Sequence, residues 1–100
     1  MDVSEKIARA EENHWLADSL SAEERAAAEF IASIAVSIQR RRHALGITQK
    51  VLADKLGVSQ VMVSRWENGE ENFTAATLAK ISNALGLELH NPFENQARAV

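Results

Sequence analysis

The segment 60–65 places four side chains on the outward face of a short helix. An amide suits the N6 and N7 edge of adenine, methyl groups suit the methyl of thymine, and a guanidinium fork matches O6 and N7 of guanine. Because they share one face, these groups could lie together along the major groove of DNA. The residues are Gln60, Val61, Ser64 and Arg65. Arg65 could instead reach back to a phosphate, and both roles stay open.

Polar residues at the helix ends could contact the DNA backbone. Thr48 and Gln49 stand at the start of one helix and Asn68 at the end of the next, where we expect them to touch phosphates. Gln49 could also be only a helix-start residue. The arginine run 40–42 supplies concentrated positive charge, although such a run is often a solvated face. Consecutive helical residues point about 100° apart, so at most two of these arginines can face DNA.

The first of the two helices that position these groups begins at a capping residue. Thr48 is a typical N-cap, and Val51, Leu52 and Leu56 give an apolar face that we expect to pack inward. Gly57 follows at the point where a left-handed residue must end the helix, because glycine has no Cβ to clash at positive φ.

The second helix carries its own start and stop signals. Ser59 is its N-cap, and Val63 and Trp66, at an i, i+3 spacing, are expected to be buried. The pair Asn68-Gly69 ends the helix with residues that tolerate the left-handed conformation. Two short helices joined by a tight turn are therefore predicted over residues 48–69.

Positions 49 to 68 resemble the helix-turn-helix of the Cro/C1-type, or xenobiotic-response-element (XRE), family. Glutamine stands first, a small Ala53 fifth and Gly57 ninth, and the likeness extends to about residues 34 and 89 through ALGITQ and TLAKISNALGLEL. Agreement at about eight spaced positions makes the motif specific, although both ends of the chain lie outside it. The buried apolar positions of the pattern are Leu52, Val58, Val63 and Trp66.

This resemblance implies an all-α, five-helix fold of the lambda-repressor type. From the residues outside it we expect an N-terminal helical extension and a short C-terminal strand that could dimerise. In the family pattern Arg42 pairs with Glu67. The Gln49 amide meets a phosphate or a base edge. Arg40 or Arg41 then holds a phosphate.

The function implied is sequence-specific DNA binding by a transcriptional regulator, most simply a repressor dimer on a double-stranded, pseudo-palindromic operator. The short length, the acidic lead-in and the TLAKISNALGLEL ending are similar to HigA-type antitoxins, which repress their own operon and neutralise a small toxin ribonuclease. A phage-type repressor without a toxin partner is one alternative. The other is a protein-interaction module with incidental DNA binding, which the acidic pair Glu70-Glu71 near the expected phosphate path supports.

The composition fits a single helical domain. One hundred residues, 46% of them hydrophobic and only one of them proline, can form one modest helical core. The chain has no cysteine, no run of about 20 apolar residues and no signal-peptide core, so we expect a cytoplasmic, nucleoid-associated protein. The sequence lacks a cysteine nucleophile, tyrosine and a glycine-rich phosphate loop, and its histidines lack ligand spacing. We therefore expect neither enzymatic activity nor a cofactor or metal.

The net charge of −3 is unevenly divided along the chain. Residues 1–29 hold eight acidic and three basic residues, a net charge of −5, while the rest carries +2. Since an acidic segment weakens binding to phosphates, we expect it to face away from DNA, where a basic toxin could bind it. A solvated helix that supports a dimer is the alternative. The expected divisions are an acidic helical extension (1–29), a DNA-binding domain (30–89) and a flexible tail (90–100).

A long helix is predicted before the motif. Ser21 and Glu24 form a capping-box pattern and Gly46 ends the helix, giving about 24 residues or ~36 Å. This exceeds what a domain of this size can bury, so the front half must project or meet a partner, unless the helix breaks between residues 28 and 33. Its apolar series is Ala27, Phe30, Ile31, Ile34, Ala35 and Ile38.

One more helix is predicted after the motif, starting at a Phe73-Thr74 staple and cap, with Leu78 meeting Phe73, and ending at Gly86. Residues 87–89 alternate like a strand but are too few to stand alone, so they could pair across a dimer. The other candidate dimer surface is the helix-like lead-in, with Trp15, Leu16, Ala27 and Phe30.

Overall fold

The computed structural model describes residues 21–94, which form four α-helices. They are α1 (Ala22–Ala44), α2 (Gln49–Leu56), α3 (Gln60–Glu67) and α4 (Ala75–Leu85). No strand occurs between residues 21 and 94, and the predicted all-α class is confirmed. Five helices were expected; four lie in this range, and after α4 the chain continues without regular secondary structure to a turn at Pro92.

Several predictions fall at or beyond the edges of this range. The helix-like segment 5–16, with Trp15 and Leu16, and the tail from residue 95 lie outside the described residues. Residues 87–90 have no regular secondary structure in the single chain, so a strand there would need a second copy and stays a prediction. The expected division between residues 29 and 30 lies inside α1, which passes through it without interruption.

The first helix begins with the predicted capping box. Ser21 Oγ accepts a hydrogen bond from the Glu24 N–H at 3.0 Å, and the Glu24 carboxylate accepts a longer one from the Ser21 N–H at 3.5 Å. The helix then continues for 23 residues, so the alternative of a break between residues 28 and 33 is wrong. Gly46, with a φ of 69°, follows its C-cap and turns the chain toward α2.

The short α2 has the predicted beginning and end. Thr48 Oγ1 accepts from the Val51 N–H at 3.1 Å, and Gly57 ends the helix with a φ of 68°. Val58 then donates its N–H to the Ala53 carbonyl at 3.0 Å. This bond turns the chain tightly, so that α3 can begin two residues later.

The last helix also follows its sequence signals. Thr74 Oγ1 accepts from the Thr77 N–H at 3.1 Å, and Gly86 ends the helix with a φ of 66°. Phe73 and Leu78 are both half-buried, and they line the same groove beside α1, as expected of a hydrophobic staple.

The core lies where the four helices meet. Its side chains with less than 2% exposure come from one position in each helix, Ile38, Leu52, Val63 and Leu85. Trp66 joins this cluster, and its ring centroid lies 6.3 Å from that of Phe73. Trp66 is therefore a core residue, as predicted. None of the helices within residues 21–94 is long and apolar enough to span a membrane.

One prediction about the core was wrong. Val51, which was expected to pack inward, is 41% exposed. Leu52 and Ala53, both buried, define the inward face of α2. Val51 lies about 100° from Leu52 around the helix axis, on the side away from Ala53. Phe30 is 46% exposed on the front half of α1, in keeping with a helix too long to be buried along its length.

Candidate nucleic-acid interface

The outward face of α3 carries the four side chains predicted to contact bases. Gln60 and Val61 are exposed at its first turn, Val61 to 67%. Ser64 is half-buried and Arg65 is exposed one turn later. The opposite face of the helix packs into the core, so these four groups share one solvent-facing surface. Their roles toward DNA stay predictions.

The start of α3 is fixed by its cap. Ser59 Oγ accepts a hydrogen bond from the Met62 N–H at 3.1 Å, as the sequence predicted. Because Gln60 follows this cap directly, its side chain leaves the helix from the first turn, the part of a recognition helix that usually contacts base edges.

The end of α3 is closed by two backbone hydrogen bonds. Glu70 donates its N–H to the Arg65 carbonyl at 2.9 Å, and Gly69 donates to the Trp66 carbonyl at 3.2 Å. Together with the φ of 71° at Gly69, this is a Schellman motif. Asn68 is the C-cap with a right-handed φ of −92°, so Gly69 alone supplies the left-handed residue expected of the pair. Asn68 is exposed at the position where a phosphate contact was predicted.

Arg65 forms an ion pair that the sequence analysis missed. Its Nη1 donates to Oε1 of Glu71 at 2.7 Å. The Arg65 side chain is 54% exposed and that of Glu71 is 29% exposed. The two residues meet because the Schellman motif folds the chain back beside the helix it has just left. An acidic residue six positions after an arginine, across a glycine-ended helix, is the signal that could have found the pair.

A buried carboxylate connects α3 to the preceding helices. Glu67 is 4% exposed and accepts hydrogen bonds from Arg42 Nε at 2.7 Å and Nη2 at 2.9 Å. This two-pronged contact confirms the predicted ion pair. The hydrogen bond to Glu67 raises the pKa of Arg42; burial opposes that effect and the charge of Glu67 reinforces it. Arg42 also donates from Nη1 to the Ile47 carbonyl at 3.0 Å.

Gln49 belongs to the same network. Its Nε2 donates to Oε1 of Glu67 at 3.2 Å, so Gln49 does more than begin α2. A side-chain amide has two N–H donors, and the second can serve a phosphate while the first stays on Glu67. Gln39, which the sequence analysis overlooked, donates from Nε2 to the Glu67 backbone carbonyl at 2.7 Å. The network therefore fixes α1, α2 and α3 relative to one another.

The remaining candidates for phosphate contacts differ in their surroundings. Arg41 is half-buried and donates from Nε to the Leu85 carbonyl at 2.7 Å, which caps the C-terminal end of α4. Arg40 is exposed, so it is the better placed of the two to hold a phosphate. Thr48 is exposed and uses its oxygen as an acceptor for the α2 cap, which leaves its O–H able to donate.

The described histidines and acidic residues do not assemble into a metal site. Within residues 21–94, no group of three or more His, Asp or Glu side chains is arranged to hold a metal ion. His90 lies 3.0 Å from the Glu88 carboxylate, and His43 lies 3.2 Å from Arg42 Nη2. The His90–Glu88 contact joins two exposed side chains at the surface.

Comparison with known proteins points to one family over much of this region. A family model described as helix-turn-helix, HTH_3, matches residues 38–90. The type II methyltransferase M1.ScrFI of Lactococcus lactis subsp. cremoris is 39% identical over 69 residues, which cover 66% of this chain and 17% of the methyltransferase. Vegetative-specific protein H7 of Dictyostelium discoideum is 36% identical over 69 residues, covering 69% of this chain and 66% of that protein. The chain thus spans only part of the length of each relative.

A solved structure agrees with the fold. The crystal structure of an HTH_3 family transcriptional regulator from Vibrio cholerae matches with a TM-score of 0.59 and 32% sequence identity. The match covers 69% of this chain and 39% of that chain. The resemblance to Cro/C1-type helix-turn-helix proteins inferred from positions 49 to 68 is thereby confirmed.

Proposed function

Because the chain belongs to the HTH_3 helix-turn-helix family, of the Cro/C1 type, we propose that it is a sequence-specific DNA-binding transcriptional regulator. The observation that carries this proposal is the α3 surface. It presents an amide, methyl groups and a guanidinium to solvent on a helix whose other face is buried and whose two ends are capped. In our proposal, residues 30–89 form the DNA-binding domain.

In the proposed complex, α3 lies in the major groove of a double-stranded operator. Gln60 contacts an adenine edge and Val61 a thymine methyl, while Arg65 contacts guanine. Phosphate contacts come from both ends of the motif and from α1, and they fix the orientation of α3 without reading sequence. The residues proposed to hold phosphates are Arg40, Thr48, Gln49 and Asn68.

Binding-site selection from random duplex DNA tests this function. We expect one enriched sequence and an affinity that falls steeply with salt, because phosphate contacts release counterions. The variant Gln60→Ala/Val61→Ala changes only exposed side chains, so it should keep the fold and lose the preference at the matching base pairs. Equal affinity of the wild-type chain for all DNA sequences would contradict the proposal and favour a protein-interaction module, which the acidic loop at Glu70-Glu71 also supports.

We further propose that the protein acts as a homodimeric autorepressor with a toxin partner, in the manner of an antitoxin. The charge of −5 in residues 1–29 supports this, because it would complement a basic toxin and would be placed away from DNA. The exposed Phe30 on the front half of α1 adds apolar surface beside that charge. A phage-type repressor without a toxin is the second candidate, and the identity of the neighbouring gene separates the two.

Deleting residues 1–20 tests the role of the acidic segment. Operator affinity should stay within a few-fold of wild type. If the neighbouring gene encodes a small basic protein, binding of that protein should be lost. Partner binding that survives the deletion refutes the assignment.

We propose no catalytic activity for this chain and a cytoplasmic location. The likeness to a methyltransferase covers 17% of that enzyme, so its activity is not carried over. A turnover assay on the purified chain would test this.

A further inference from the structure

The ion pair between Arg65 and Glu71 places an acidic group directly within the proposed DNA-binding surface. The contact is short, 2.7 Å, and the carboxylate is held in place by its backbone, because the Schellman motif fixes the chain at Gly69 and Glu70. The Glu71 side chain is only 29% exposed. If α3 lies in the major groove, the Glu71 carboxylate is therefore close to the DNA whenever the Arg65 guanidinium is.

Arg65 could contact either a phosphate or a guanine edge in DNA, and the neighbouring Glu71 carboxylate affects these two contacts differently. A phosphate is an anion, so it gains little from a guanidinium whose charge is balanced and is repelled by Glu71 itself. The O6 and N7 atoms of guanine are neutral acceptors that depend on hydrogen-bond direction more than on net charge. A guanidinium has five N–H donors in a fixed fork, so one can remain on Glu71 while others turn to a base.

We propose that Glu71 is a specificity-determining residue, which orients the Arg65 guanidinium for a guanine edge and opposes its use on phosphates. This inference rests on the proposed DNA-binding function. The acidic loop then contributes to selectivity by weakening binding to DNA that lacks the correct base. A positioning residue of this kind lowers affinity for non-cognate DNA more than for the operator.

The variant Glu71→Gln tests the proposal against the matched control Glu70→Gln, which removes the same charge one residue away. Affinities of the full chain for the selected operator and for non-cognate DNA are measured at matched salt. For Glu71→Gln we expect tighter non-cognate binding and a ratio of cognate to non-cognate affinity lower by about fivefold, the low end of the discrimination that one whole bidentate arginine–guanine contact provides. The salt dependence on non-cognate DNA should steepen by about one counterion. For Glu70→Gln both affinities should shift together and the ratio should stay unchanged.

A second pair of variants shows whether Glu71 acts through Arg65. In an Arg65→Ala background, Glu71→Gln should leave the affinity ratio unchanged. A ratio that still falls there, or equal shifts for Glu71→Gln and Glu70→Gln, would overturn the proposal. Thermal unfolding of each variant controls for a structural effect. If the wild-type chain shows no sequence preference, the proposed function has failed; if it shows one and the ratio does not respond to Glu71→Gln, only the role of Glu71 has failed.

Discussion

The proposed base contact of Arg65 is the part of the α3 surface that a single substitution tests most directly. If it contacts a base, Arg65→Ala should cost about 1 to 3 kcal/mol on the cognate site and relax the preference at one base pair in each half-site. If it holds a phosphate, the loss should be similar on all sequences and the salt dependence shallower. Binding-site selection with both proteins at matched salt separates the two. An unaltered sequence preference would remove Arg65 from the base-contacting set.

Arg42 is expected to contribute to stability, because its guanidinium pairs with the buried Glu67 carboxylate. Arg42→Met would leave the buried Glu67 carboxylate without its charge partner, and we expect a loss of about 3 to 5 kcal/mol in the free energy of unfolding. The double variant Arg42→Met/Glu67→Met should recover most of it, because no charge is then buried. Denaturant unfolding measures both. A double variant as unstable as the single one would show that packing, and not the uncompensated charge, dominates.

The pH dependence of this contribution follows from the direction of the Arg42 shift. A basic group whose pKa is raised by folding stabilises the protein fully below its unfolded pKa, and loses that effect only as the pH rises through the folded value. For an arginine this occurs in strongly alkaline solution. The stability difference between wild type and Arg42→Met should therefore be flat from about pH 8 to 10, above the range in which histidines change charge.

At the level of the elements, the turn between α2 and α3 depends on one backbone conformation. Gly57 has a φ of 68°, and a Cβ built there meets no atom within 4 Å. Gly57→Ala should therefore cost about 1 to 2 kcal/mol through backbone strain alone, and Gly57→Asn less, since asparagine tolerates this region better. Gly86→Ala is the informative contrast, because its Cβ would also lie 3.4 Å from Nη2 of Arg41, the side chain whose Nε donates to the α4 cap. Thermal unfolding of the three variants measures these losses. Equal losses for Gly57→Ala and Gly57→Asn would contradict the strain argument.

The boundaries of the elements could be predicted because each is set by neighbours in sequence. Ser21 with Glu24 begins α1, and Gly57 ends α2, through contacts within a few residues. The pairing of Arg42 with Glu67, 25 residues apart, came from the family pattern and not from local rules. The contact of Arg41 with the Leu85 carbonyl, 44 residues away, had no such guide.

The wrong prediction that Val51 packs inward has a local cause and does not involve a contact between distant residues. In a helix of eight residues, apolar periodicity defines the inward face only within about 100°, so a neighbour of Leu52 can be assigned to either side. The ion pair of Arg65 with Glu71 was missed because it depends on the direction in which the Schellman motif sends the chain. Contacts made across a turn need its geometry as well as its residues.

The whole molecule must present two α3 helices to DNA if it binds a pseudo-palindromic operator. One recognition helix contacts a single half-site, and two must be held about 34 Å apart. In the described part of the chain, one candidate surface for pairing lies beside α1 and α4, where residues 87–89 line part of a groove of about 150 Å³. Leu89 is 55% exposed at its edge. A segment without regular secondary structure that exposes two leucines could add a strand to a second copy.

Truncation distinguishes the tail from the acidic lead-in as the dimer surface. A chain ending at Gly86 loses residues 87–89 and should be monomeric. Its mass should then be that of one full chain, 11.0 kDa, minus the mass of residues 87–100. A chain ending at His90 keeps them and should remain a dimer, which makes it the matched control. Light scattering measures both masses. Thermal unfolding accompanies it because the chain ending at Gly86 also loses the hydrogen bond from the Leu87 N–H to the Ser82 carbonyl, 2.9 Å long. If the chain ending at Gly86 stays dimeric, the pairing surface is not the tail, and deletion of residues 1–20 should then be the change that yields monomers.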